Sequence, residues 1–315
     1  MGLDNFYIPP FVETFLIFLM IEIFTGVLTN VFIVVVNVHD WLRGQSLNSS
    51  DQLVVSLALS NFCFSCINAA TIVCSIFFSS LFLKDYVFYA LYCIMSYSIY
   101  SSSWLSAWLC LFFCVKIISF KDGCMGWLKT KITAVVPWLI VLSQVFSIAS
   151  SVPIIWTFTT VYASNVSEGF PSNGTVKVVG YKIDPTYNML SLLINCFVPF
   201  MFVMVTTGHI IVSLCAHTRH MKQNMEDHGP SLKAQQGAAR TMLSLLILYL
   251  IFYVVELGLG FLSMIDPLYW VCFLLIFSFP TIQSVIFITG NAKMKQTCLK
   301  IMKICAKHLP DTPSH

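Results

Sequence analysis

Apolar positions in this chain neither alternate nor recur on one face; they run on. Seven apolar stretches, at roughly 11–38, 52–82, 87–117, 132–160, 187–215, 241–265 and 268–289, are separated by short polar segments. Each reaches the ~20 residues that an α-helix needs to cross ~30 Å of hydrocarbon. The pattern therefore predicts an all-α membrane protein, a bundle of seven spanning helices forming a single domain over 1–315. After the last stretch the pattern changes: from Asn291 to Cys305 basic and apolar residues interleave at helical spacing. That segment, about 291–306, predicts a short amphipathic helix lying on a membrane surface.

Charge orients these helices. Of the 17 Lys and Arg residues, all but Lys84, Lys177 and Lys182 fall in the loops on one side of the apolar stretches. Arg43 follows the first stretch; Lys116, Lys121, Lys129 and Lys131 flank the loop after the third; Arg219, Lys222, Lys233 and Arg240 lie between the fifth and sixth; the others follow the seventh. Basic loops stay in the cytoplasm, so the C-terminus is inside and, after seven crossings, the N-terminus is outside. That is the topology of a G-protein-coupled receptor, a multi-pass protein of the plasma membrane. Composition agrees: the chain is 57% hydrophobic, its mean hydropathy is +0.82, and 10% of its residues are charged, against ~25% in soluble domains. The net charge of +3 is then an attraction to anionic inner-leaflet lipid, not a nucleic-acid signal. The first stretch lacks a basic leader and is too long for a signal-peptide core, so it is read as a retained helix.

Smaller features fit this frame. The largest outer loop, about 160–187, carries the sequons Asn165-Val-Ser167 and Asn173-Gly-Thr175, candidate glycosylation sites. A third sequon, at Asn48, falls on the inner side, beyond the reach of glycosyltransferases. The outer loop contains no Cys, so Cys93 at the top of helix three finds no disulfide partner there, which argues against an ordinary rhodopsin-like receptor. Helix seven has no Lys for a retinal Schiff base. No catalytic constellation is present, so no enzyme and no cofactor are predicted. His217 and His220 lie beside Arg219 and Lys222, which disfavours a metal. Cys298 and Cys305 in the tail are open to palmitoylation or remain free thiols.

The segment from Trp104 to Phe120 carries a more specific signal: Trp104, then Phe112-Phe-Cys-Val-Lys-Ile117 and Phe120. It resembles the helix-three signature of the bitter taste receptors (type 2 taste receptors), with Phe113 in place of a usual Tyr. Other segments are similar to the same family: Glu22, Gly26 and Asn30 with Asn37 in helix one; Leu57-Ala-Leu-Ser60 in helix two; His217 through Asn224, Gly229-Pro-Ser231 and Leu245 through Tyr249; and Pro280, Ser284 and Gly290 through Gln296. The resemblance runs through all seven helices in order. Two positions depart from it. Asn61 stands where the family usually has Arg, and Gln283 where it usually has His, which marks a divergent member with re-wired inner contacts.

The resemblance implies small-molecule bitter agonists, a heterotrimeric G protein of the gustducin or Gi class, and an agonist pocket between helices three, five, six and seven. Family positions of a Trp and an Asn in helix three correspond to Met95 and Ile99, a helix-seven Glu to Phe273, and a helix-six Tyr to Phe252; Phe277 follows one turn after Phe273. The expected pocket is therefore more apolar than usual, with Glu256 and neighbouring hydroxyls as its few polar anchors. Glu256 admits a second reading, as a buried hydrogen-bonding residue. Glu22, near mid-bilayer, must face protein, and with Asn30, Asn61 and Gln283 it is read as a structural polar contact. Lys116, Lys131, His217, Arg219 and Lys222 at the inner helix ends are expected to face the G protein or, equally, anionic lipid. A vomeronasal type 1-like receptor and a seven-helix transporter or channel are the alternatives.

Overall fold

The computed structural model describes residues 10–82, 84–118, 124–162, 178–223, 230–259, 262 and 267–308. Its helices are α1 (Pro10–Leu42), α2 (Ser49–Phe77), α3 (Asp85–Ile117), α4 (Cys124–Ser151), α5 (185–223), α6 (Pro230–Leu259), α7 (Pro267–Gly290) and α8 (Ala292–His308). Among the described residues seven helices are long and apolar enough to cross a membrane. Their outward faces stay apolar: Ile17, Phe24 and Leu28 of α1, Trp138 and Val145 of α4, and Val254 of α6 are all exposed. A bundle in lipid presents such a surface, because its driving force for burial is weak on that side.

Many polar side chains inside the spans are satisfied locally. Thr25 and Thr29 hydroxyls donate to the carbonyls four residues earlier, as do the amides of Asn30 and Asn37. In hydrocarbon an unmet polar group costs several kcal/mol, and this back-bonding lets Thr and Asn sit in a spanning helix. The bundle is built around α3, the most buried span, which packs on α2, α4 and α5, while α7 packs on α1, α2 and α6. One core cluster fills the inner half, around Leu57, Leu105, Leu109, Ile210 and Leu245. A second fills the middle, around Tyr100, Cys196, Phe252, Ile276 and Phe279.

Side-chain caps mark the starts of α5 and α8. The α5 helix starts at Pro185, with the Asp184 carboxylate accepting from the Tyr187 N–H at 2.9 Å. Within it lies a π-helical turn, Leu193–Phe197. The α8 helix begins after Asn291, whose side-chain oxygen accepts from the N–H groups of Lys293 and Met294. Its base is pinned to α1 by an ion pair between Lys293 and Asp40, and Met294 is buried against the bundle. The outer surface of α8 carries exposed Leu299, Ile301, Met302 and Ile304, an apolar face suited to the inner leaflet.

The fourth and second apolar stretches differ from expectation. The α4 helix ends at Ser151, not near 160; a 3-10 turn, Val152–Trp156, follows. Pro153 cannot supply the N–H that α-helical continuation needs. The α2 helix breaks at Phe78, whose φ and ψ are −128° and 46°, before one more turn at Ser79–Phe82. Beyond the 3-10 turn, β1 (Phe158–Tyr162) pairs antiparallel with β2 (Val178–Ile183), Phe158 opposite Ile183, with an irregularity at Val161/Tyr162. This hairpin adds the one sheet among the described residues to an otherwise helical fold. It is held to α3 by the Phe158 ring, whose centroid lies 5.3, 5.0 and 5.2 Å from those of Phe88, Tyr89 and Tyr92.

Candidate functional site

At mid-bundle the polar residues of four helices meet. Gln283 of α7 is fully buried, and every polar function of its amide is bonded. Its Oε1 accepts from Asn61 Nδ2 of α2 at 2.7 Å, and its Nε2 donates to Ser106 Oγ of α3 at 2.9 Å and to the Tyr249 hydroxyl of α6 at 3.1 Å. Ser102 Oγ stands 2.9 Å from Asn61 Oδ1 and 3.1 Å from Gln283 Oε1, and can donate to either. The Tyr249 hydroxyl donates to the Ser102 carbonyl at 3.3 Å. On the very next residue of α7, Ser284 Oγ donates to Asn30 Oδ1 of α1 at 2.7 Å. Glu22 joins through its backbone: Thr281 Oγ1 donates to its carbonyl at 3.2 Å, and the carboxylate is half-buried.

Close backbone approach makes these contacts possible. A Cβ at Gly26 would lie 2.8 Å from both Ser65 Oγ and Thr281 Oγ1, so only Gly lets α1, α2 and α7 meet at that level. Gly290 plays the same part at the inner end, where any Cβ would overlap the Thr241 hydroxyl of α6.

Residues expected in the agonist pocket divide into two groups. Ile99, Phe252 and Phe277 belong to one cluster beneath the outer half of the bundle. Phe252 is buried with its ring 4.6 Å from that of Phe279, and the ring of Phe277 lies 5.8 Å from that of Phe64 of α2. The ring of Phe273 lies 4.4 Å from that of Phe277, tilted by 42°, and faces a groove against Leu16 and Leu19 of α1. Met95 is half-buried on α3. Glu256 is half-buried near the outer end of α6. Its carboxylate is close enough to Tyr92 of α3, Cys196 of α5 and Tyr269 of α7 to interact electrostatically with each.

At the inner end a cavity of about 250 Å³ opens between Asp51 and Val54 of α2, Phe113 of α3, Thr241 of α6 and Asn291 and Met294. Of the cationic residues expected to face a G protein, the two whose side chains are described, Lys116 and Lys131, do not line it. Lys116 is exposed with its ammonium 5.0 Å from the centroid of the Phe112 ring, and Lys131 is exposed on α4. The α5 helix runs through His217, Arg219 and Lys222 to Gln223; their side chains, like Asn165 and Asn173, lie outside the described residues.

The family model described as Taste receptor protein (TAS2R) matches residues 8–306. The chain belongs to the type 2 taste receptor family. It is 26% identical over 291 residues to taste receptor type 2 member 40 of Gallus gallus, covering 91% of this chain and 93% of that protein. Member 41 of Rattus norvegicus is 28% identical over 288 residues, covering 89% and 92%. Member 39 of Homo sapiens is 28% identical over 294 residues, covering 92% and 86%. The chain is thus a bitter-taste G-protein-coupled receptor of the plasma membrane and not an enzyme; the transporter and vomeronasal readings give way to a match that spans all seven helices.

Two parts of the receptor site escaped the sequence reading. Ser102, Ser106 and Tyr249 complete the network around Gln283, and the clustered hydroxyls of Ser101, Ser102, Ser103 and Ser106 in an apolar helix were the signal for it. The π-helical turn that inserts Cys196 toward the core left no signature in the sequence.

Proposed function

We propose that this receptor binds small, largely apolar agonists in the outer half of its bundle, and that binding shifts a two-state equilibrium toward a form that engages a gustducin- or Gi-class G protein. The observation that carries the reading is a half-buried carboxylate, Glu256, near the outer end of α6, with Tyr92, Cys196 and Tyr269 of three other helices within its electrostatic range. A carboxylate in the outer half of a span is costly unless something pairs with it, and such a polar point in an apolar cleft fixes a ligand's orientation. In the active form the inner ends of α5 and α6 separate, so that the inner cavity between α2, α3, α6 and α7 widens to admit the tail of a G-protein α-subunit.

The test is a compound screen with a calcium readout in cells that co-express a promiscuous G protein. Glu256→Gln keeps shape and hydrogen bonding and removes the charge. Cationic and donor-rich agonists should weaken by ~1–3 kcal/mol, while neutral apolar agonists persist. Met95→Ala should act in the opposite sense, costing apolar agonists most through lost contact area. Uniform loss for every agonist, together with poor surface expression, would make Glu256 a structural residue and overturn the reading. Nucleotide release from purified Gi-class and other heterotrimers decides the coupling class.

A further inference from the structure

Seven residues are close to two helical turns, a rise of about 10.5 Å, and return a side chain to within about 20° of the same face. Applied outward from the buried network, that step leads from Asn61, Ser102, Tyr249 and Gln283 to Asn68, Met95, Glu256 and Ile276. Each lies on the helix of its counterpart, so the four form a second layer directly above the network.

Asn68 is the anomaly of that layer. It is 1% exposed, on the same buried stripe of α2 as Asn61 and Phe64. Among the described residues neither its Nδ2 nor its Oδ1 has a hydrogen-bond partner. The other Asn residues buried on α1 and α2 are bonded: Asn30 and Asn37 to backbone carbonyls, and Asn61 to Gln283 and Ser102. A buried amide without any bond is a cost that a Leu of similar size would avoid. Unlike a lone hydroxyl, it also presents a donor and an acceptor side by side.

We propose that Asn68 is a binding residue of the outer-half agonist site, taking a neutral ligand group that both accepts and donates, of which a secondary amide or lactam is the simplest. This rests on the agonist site proposed above and adds its second polar wall. Glu256 on α6 takes a cationic or donor end, Asn68 on α2 takes the amide end, and Met95 and Ile276 face the apolar middle of the ligand. Met95 is half-buried and unbranched, a side chain that can adapt its shape to a ligand.

The experiment compares secondary-amide and lactam compounds with their N-methylated counterparts on the wild-type receptor, Asn68→Leu, Asn68→Asp and Glu256→Gln. Surface levels are measured through an N-terminal epitope tag. Asn68→Leu should lower potency for secondary amides about tenfold or more, remove their advantage over the N-methyl compounds, and leave surface level equal or higher. If Asn68→Leu leaves every potency unchanged while Glu256→Gln changes the agonist spectrum, the proposal fails and the outer site stands; Asn68 then holds internal water or bears its cost unpaired. If neither substitution changes the spectrum, the outer site itself fails. Should Asn68→Leu not reach the surface, Asn68→Asp decides, since it keeps shape and acceptor and removes the donor. Retained potency for amides in Asn68→Asp would overturn the assignment of Nδ2 as a ligand donor.

Discussion

Replacing Tyr249 by Phe removes one oxygen and leaves the packing in place. The ring, 3% exposed and 5.0 Å from that of Phe279, fits unchanged. Two hydrogen bonds go: the one donated to the Ser102 carbonyl at 3.3 Å and the one accepted from Gln283 Nε2 at 3.1 Å. They are the polar ties from α6 to α3 and α7 at mid-bundle. Hydrogen bonds between helices in a membrane average ~0.6 kcal/mol, so the pair contributes ~1.2 kcal/mol. If α6 leaves this position on activation, the whole of that amount favours the resting form. At 1.4 kcal/mol per tenfold, Tyr249→Phe should raise agonist-free G-protein release about sevenfold. The assay is basal nucleotide exchange on the co-expressed G protein, divided by surface receptor. Basal exchange equal to or below wild type at normal surface level would show that the two bonds survive in both states, and that α6 does not break from the network when the receptor switches.

The other predictions test packing and topology. Gly26→Ala forces a methyl against Ser65 and Thr281 and should cost ~1–3 kcal/mol, read as a lower Tm of the purified receptor in detergent; an unchanged Tm would mean that α1 stands further from α2 and α7. N-glycosidase should sharpen the gel band, and Asn165→Gln combined with Asn173→Gln should abolish that shift; its survival would refute an outer position for the loop. Charge reversal at Arg219 with Lys222 should lower agonist-evoked signalling with surface expression near normal; lost expression instead would favour lipid anchoring.

Apolar runs and the placement of Lys and Arg made the seven spans legible, because the bilayer imposes a length and a charge asymmetry that a sequence must write out. The inner extensions of α5 and α6 were not legible: Thr218 to Gln223 and Pro230 to Gln236 are polar, and hydropathy stops where the hydrocarbon does. Phe158 to Thr160, the start of β1, falls within the stretch 132–160 expected as helix because a short apolar run does not distinguish helix from strand; Thr159, Thr160 and Val161 were the β-branched hint. Within the site, Asn61 and Gln283 stood out as departures from a family pattern. That they bond each other follows from helix rotation and register, which one sequence does not reveal. Asn68 is the same residue type on the same stripe as Asn61, and sequence alone does not tell a bonded buried amide from an unbonded one.

The roof of this receptor is fastened by ring faces and not by sulfur. Cys93 is a free thiol, and the hairpin is held to α3 where Phe158 lies among Phe88, Tyr89 and Tyr92. Three aromatic contacts at ~0.5–1.5 kcal/mol each give a latch of ~1.5–4.5 kcal/mol. Such a latch is open from about one part in ten to about one in two thousand of the time, without any bond being cut. For an agonist of the outer-half site proposed above, thermal lifting of the roof would open a way in, and a reductant would leave that latch untouched. Tyr92 is both a latch residue and within electrostatic range of Glu256, so an agonist of the proposed site that shifted this ring would change how long the roof stays shut behind it.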